Sequence, residues 1–134
     1  NYPYAVPVSY AYDGYKLYFH CAKSGHKIDA IRRNAKASFC VIDQDLVVPE
    51  EYTSYFRSII AFGTIRILED SQEKREAIEK LAVKYAPDDN DAHRQAAIDR
   101  DWVPLCMLEM TIEHMTGKEA KELIKEKQQR NKSC

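Results

Sequence analysis

From Tyr2 to Tyr12 the chain alternates. "YPYAVPVSYAY" sets Tyr4, Val6, Val8, Tyr10 and Tyr12 on one side and Ala5, Pro7, Ser9 and Ala11 on the other, which predicts a strand with one large apolar face and one small face. Pro7 has no N–H for a ladder, so it belongs at an edge, at a bulge, or where something other than a strand lies alongside. Asp13-Gly14 reads as a two-residue hairpin turn, with "YKLYFH" (15–20) as the returning strand. A short helix from Gly25 to Asn34 follows, with Ile28 and Ile31 on one side, and "ASFCVI" (37–42) forms a third strand before the polar passage "DQDLVVPEE". Tyr52 to Glu69 predicts a long β segment that Gly63 bends or bulges, as a closed barrel requires.

The pattern then changes period. Asp70-x-x-Glu73 is a capping box for a helix whose Ala77, Ile78, Leu81, Ala82 and Tyr85 share one face and which Pro87 ends. "DAHRQAAID" (91–99) gives a shorter helix. "VPLCMLEMTIEH" (103–114) returns to strand period, with Cys106, Leu108, Met110, Ile112 and His114 facing one way and Glu109, Thr111 and Glu113 the other, a half-buried strand. Thr116-x-x-Glu119 reads as a second capping box, predicting a C-terminal helix at about 117–129 and a frayed tail, "KQQRNKSC". No repeat or linker interrupts this order, so the expected architecture is a single domain over residues 1–134, α+β and mainly β, a barrel with short helices around it.

Composition narrows the function. With 45% apolar and 31% charged residues the chain belongs among soluble globular proteins, and a net charge of −1 argues against a nucleic-acid binder that neutralises many phosphates. No stretch approaches the roughly 18 apolar residues of a membrane span, and no secretory leader is read at the N-terminus. Cys21, Cys40, Cys106 and Cys134 are scattered with no C-x-x-C pair, the usage of reduced thiols in a cytoplasm.

One stretch carries candidate chemistry. In "YFHCAKSGHKIDAIRRNAKASF" (18–39) a helix beginning at Gly25, with Ser24 as N-cap, would place His26 and Lys27 in its first turn. Cations there oppose the helix dipole by about 0.3–1 kcal/mol each, a cost an anion at the same spot would offset. Gly25 allows close backbone approach, and the free N–H groups with Lys27 suit a phosphate dianion. The plainer alternative is a solvated Lys27 and a turn glycine.

The succession "PYAVPVSY … DG … LYFHCAKSGHKIDAIRRN … FRSIIAFGTIRILED … TIEHMTGK" resembles the pyridoxamine-phosphate-oxidase-like flavin-binding split barrels, and within them the branch named for nitroimidazole antibiotic resistance. The resemblance runs from Tyr2 to about Lys118. It implies a split β-barrel binding FMN, or FAD, at the interface of a homodimer, with reduced flavin passing electrons to a small-molecule acceptor such as a nitro-aromatic compound. It implies Ser24, Gly25, His26 and Lys27 as phosphate contacts, Val6, Pro7 and Val8 along the isoalloxazine, and His20 beside the cofactor as the best-placed catalytic candidate. Ser58 would touch the flavin ring, and Trp102 would reach the site across the subunit interface. A family helix and strand are expected upstream of Asn1. The Arg-rich substrate motif of true pyridoxamine phosphate oxidases is replaced by "MTGKEAKELIK", so vitamin B6 oxidation is not expected.

Other readings compete. The same barrel could hold flavin or haem without turnover, with His20 or His114 as axial ligand, or could be a structural dimer that binds neither. No metal site is expected, since His20 and His26 lack a third ligand at recognisable spacing and "PDDNDAH" lacks the ligand pattern of a calcium loop. His93 and His114 read as structural, Cys21 and Cys40 as small buried residues, and the nine tyrosines as strand residues rather than base-stacking platforms.

Overall fold

The computed structural model describes residues 2–132; Asn1, Ser133 and Cys134 lie outside the described residues. The elements are β1 (Tyr10–Tyr12), β2 (Lys16–Ala22), α1 (His26–Arg33), β3 (Lys36–Val48), a 3-10 turn (Pro49–Glu51), β4 (Thr53–Ile67), α2 (Ser71–Tyr85), α3 (Asp91–Asp101), β5 (Leu105–Glu119) and α4 (Lys121–Lys132). The strands form one sheet in the order β1-β2-β5-β4-β3. The fold class is α+β and mainly β, the five-stranded arrangement of a split barrel.

The chain divides into two compact units, Asn1–Ala37 with Gly63–Ile112, and Ser38–Phe62 with Glu113–Cys134. In the first, the ladder starts later than the alternation predicts: residues 2–9 are irregular and only Tyr10–Tyr12 pairs with β2. Pro3 and Pro7 remove the donors such a ladder needs. The N-terminal segment is instead anchored at Tyr10, whose N–H donates to the Tyr85 hydroxyl (3.1 Å) and whose carbonyl accepts from Lys84 Nζ (2.8 Å). The hairpin turn is displaced by one residue. Asp13 N–H donates to the Lys16 carbonyl (3.2 Å), which makes Gly14 and Tyr15 the central pair, and Gly14 takes φ 97°, as a II′ turn demands at its first central position.

β2 runs on to Ala22 and pairs antiparallel with β5 from Lys16↔Thr111 to Ala22↔Leu105. Its Tyr18 joins Ala11, Leu68, Ala77, Leu81 and Met107 in a core that α2 closes. α2 therefore covers a face of β5 expected to meet solvent, and Cys106 through Met110 are all buried. That includes Glu109, 6% exposed, which takes ion pairs from Lys16 (3.2 Å) and Arg66 (2.9 Å). Such pairing is what allows a carboxylate to be buried.

In the second unit β3 continues through the passage expected to be a loop. Asp43 is held by Arg57 of the neighbouring strand (3.1 Å), and Leu46, Val47 and Val48 carry the ladder on until Pro49. The helix expected at about 117–129 is α4, Lys121–Lys132, so Thr116–Glu119 belongs to β5 and residues 127–132 of the supposed tail are helical. Glu119 is ion-paired with Arg57, and the Ala120 N–H donates to the Phe56 carbonyl (2.9 Å). These partners keep the chain extended past Thr116. Leu123, 3% exposed, anchors the helix that follows.

Candidate functional site

β2 leaves the sheet at Ala22, and after three intervening residues α1 begins at His26. Gly25, rather than Ser24, is the N-cap, with φ 133° and ψ 177°. An L side chain is strained at that φ whatever the space, and a Cβ at Gly25 would meet nothing within 4 Å, so backbone conformation rather than crowding requires the glycine. No side chain caps the helix, so its first N–H groups receive no hydrogen bond acceptor from the Ser24 hydroxyl.

Around this opening the structure places Ser24, Gly25 and His26 exposed and Lys27 half-buried. The helix is fixed beneath them by Ile28, 1% exposed, and by the Asp29 N–H donating to the Gly25 carbonyl (3.1 Å). Asp29, in the same turn, offsets part of the positive charge. The Tyr4 ring lies 4.4 Å from the His26 ring, centroid to centroid, at an interplanar angle of 43°. That contact brings the N-terminal segment to the turn, and on it Val6 and Pro7 are exposed and Val8 is half-buried. Tyr4 is the site residue that sequence reasoning missed. Its place on the large face beside Val6 and Val8 was visible, but its partner was not.

His20 is exposed on β2, opposite Met107 in the register. Trp102 is half-buried at the end of α3, with Lys74 Nζ 4.2 Å and Arg75 Cζ 5.6 Å from its ring, and its carbonyl accepts from Lys74 Nζ (2.8 Å). Burial pulls Lys74 below the ordinary lysine range, with Lys23 adding to the effect. The indole thus has cation partners within its own chain. In the second unit Ser58 is half-buried on β4, and Phe62, on the same face by strand period, stacks with His114 at 5.9 Å. His93 contacts Asp89 through Nδ1 (2.8 Å), and among the described residues no three His, Cys, Asp or Glu side chains converge as metal ligands.

The first unit thus joins a glycine-opened helix start, uncapped N–H groups, a half-buried lysine and an exposed extended segment. That donor set fits a phosphate dianion. Among the described residues no helix is long and apolar enough to cross a membrane.

Several solved structures share the fold. A candidate 5-nitroimidazole antibiotic resistance protein of Bacteroides thetaiotaomicron superposes with a TM-score of 0.67 at 24% identity, over 87% of this chain and 68% of that one. The FAD and haem binding protein of Mycobacterium smegmatis gives 0.69 at 19% identity over 90% of this chain, which spans 60% of that protein. An FAD-binding protein of Mesorhizobium loti gives 0.62 at 22% identity, over 90% and 79% of the two chains. No curated protein matches the sequence. The pattern that defines one family covers residues 1–119, and on that ground the chain belongs to the pyridoxamine 5'-phosphate oxidase family.

Proposed function

We propose that the chain is a single flavin-binding domain that works as a homodimeric, flavin-dependent oxidoreductase, with FMN the cofactor and a small molecule, such as a 5-nitroimidazole or another nitro-aromatic compound, the electron acceptor. The observation that carries the reading is the start of α1, where Gly25 at φ 133° opens a helix with no side-chain cap beside the half-buried Lys27. In this reading the backbone of Gly25, His26 and Lys27 donates hydrogen bonds to the cofactor phosphate, and the Lys27 ammonium adds a charge-assisted one. Ser24, exposed and uncommitted to the helix cap, is free to turn its hydroxyl to the same group. Val6, Pro7 and Val8 form the surface along the ring system, and Tyr4 holds that segment to the turn through His26. His20, Ser58 and Trp102 remain the proposed ring-side and cross-subunit contacts. The flavin supplies the redox chemistry, so the protein's part is to bind and orient it and to leave one face open to the acceptor.

The test is a titration with FMN. Replacing Lys27 by Ala should weaken binding by about ten- to hundredfold, the range for losing a hydrogen bond to a charged group. An unchanged affinity at physiological ionic strength would remove the phosphate site. A haem-holding reading is kept because His20 and His114 are both exposed and one protein of this fold is described as binding haem as well as FAD. A Soret band in the purified protein would select it over the flavin spectrum expected here.

A further inference from the structure

Cys21 follows His20 on β2, and in the register of β2 against β5 it stands directly opposite Cys106. Directly opposed residues in antiparallel strands lie about 4.5–5.5 Å apart at Cα and project to the same face, inside the span of about 4.4–6.8 Å that a disulfide bridges. The two thiols share a hydrogen bond, and both are free. Cys106 is 5% exposed and Cys21 half-buried, so a reagent from solvent meets Cys21 first.

We infer that Cys21 and Cys106 are a redox-modifiable dithiol, which a small-molecule disulfide converts into a cross-strand disulfide. The Cys21 thiolate attacks one sulfur of the reagent, forming a mixed disulfide and releasing one reagent thiol. The Cys106 sulfur, giving up its proton, then attacks the Cys21 sulfur and displaces the second. The protein loses two S–H hydrogens and gains one S–S bond, while the reagent disulfide is reduced to two thiols. Only the first attack needs access from solvent, so the burial of Cys106 directs the intermediate toward closure instead of a second adduct. Burial, together with Cys106 alongside, pushes the Cys21 thiol up to about 11, with Lys27 acting in the opposite direction. The exchange is therefore slow at neutral pH and quickens with alkalinity. The new bond would tie β2 to β5 immediately before the turn that opens α1. The inference rests on the register of the two strands and does not depend on a bound flavin.

The experiment uses the full chain carrying Cys40→Ser and Cys134→Ser, so that only the proposed pair reports. It is incubated with oxidised glutathione at mildly alkaline pH, acid-quenched, digested without reductant and mapped by mass. Both thiols should be lost together, the intact mass should fall by two hydrogens, and one linked peptide pair should contain Cys21 and Cys106. The thermal midpoint should rise and return on adding dithiothreitol, because the link closes a long loop in the unfolded chain. The rate should increase about tenfold per pH unit below the Cys21 pKa. Adding Cys106→Ser should leave a stable glutathione adduct on Cys21; if that variant does not fold, the mapping of the parent chain decides. A glutathione adduct persisting at Cys21 with Cys106 still free, or two thiols that react only after denaturation, would overturn the inference.

Discussion

Asp13 shows how much a single side chain can organise. Its carboxylate accepts from the N–H groups of Tyr15 (2.9 Å) and Lys16 (2.8 Å) and from the Tyr18 hydroxyl (3.1 Å), with Lys80 Nζ at 3.8 Å. Burial pushes this carboxyl up, but the Lys16 and Tyr15 N–H groups, the Tyr18 hydroxyl and the Lys80 charge together outweigh it, and it titrates below the usual aspartate range. A carboxyl whose folded pKa is depressed stabilises the fold above its unfolded pKa, and that contribution is lost as pH falls through the folded value. Asp13→Ala should therefore cost roughly 1–2 kcal/mol at neutral pH, measured by urea unfolding. The gap between variant and parent should narrow below about pH 4. A constant gap down to the acid transition would assign the loss to packing instead of charge. Tyr18 responds at the other end of the scale: burial first, then the hydrogen bond to Asp13, raises its phenol to about 12, so what it contributes is present below about pH 10 and lost as pH rises through 12. The Asp13-Gly14 dipeptide made the hairpin legible. It did not reveal which residues are central, because an aspartate that caps a turn through its side chain precedes glycine as readily as one that sits inside it.

At the scale of elements, two copies of one sequence pattern met opposite outcomes. Asp70-x-x-Glu73 opens α2 as read, the Asp70 carboxylate accepting from the Glu73 N–H (3.0 Å), although the Glu73 side chain turns to Arg66 (2.9 Å and 3.0 Å) instead of closing the box. Thr116-x-x-Glu119 stays in β5 because Glu119 pairs with Arg57 and Ala120 hydrogen-bonds to Phe56. Both partners are distant in sequence, which is why local pattern could not separate the two cases. The same reason hid the extension of β3 past Ile42, where Arg57 supports Asp43 from β4. The long β4 and helices α2 and α3 were legible from local pattern, β4 from its extended apolar run and α2 from its cap and the proline that ends it, whereas the order of strands in the sheet was not read. Gly63 was legible as special, and the structure adds a cause that the sequence could not show: a Cβ there would run into the Thr111 carbonyl oxygen and lie 2.9 Å from its carbon. Close approach of β5, a backbone obstacle that no rotamer relieves, is what excludes a side chain. Gly63→Ala should destabilise the chain by about 3 kcal/mol or more, seen as a lowered urea midpoint. A midpoint within experimental error of the parent would show that β4 and β5 can part without cost.

For the whole molecule, what matters is the surface that stays uncovered. In the second unit Ile42 (64%), Leu46 (52%), Val47 (64%), Phe62 (41%) and Met115 (45%) are all exposed large apolar residues. In the proposed function a second copy of the chain covers the exposed apolar side chains of this unit. Ser58, expected from the sequence to touch the flavin ring, lies on the same face of β4 as Phe62, so a copy seated there would meet a proposed cofactor contact as well as apolar side chains. The glycine-opened turn before α1, where the phosphate site is proposed, could be read from "SGHK" because its backbone requirement is local; the proposed interface could not, because an exposed isoleucine and a buried one look alike in a strand. Ile42→Asp separates the two properties. Since Ile42 is mostly exposed, the change should leave unfolding of the isolated chain within about 0.5 kcal/mol of the parent. Sedimentation equilibrium should nevertheless show the dimer dissociation constant raised about tenfold or more, the effect of placing a charge in an apolar contact. Lys27→Ala should do the reverse, weakening FMN binding while the parent's association is retained. A parent chain that sediments as a monomer, or an Ile42→Asp variant that associates as the parent does, would move the partner surface away from β3.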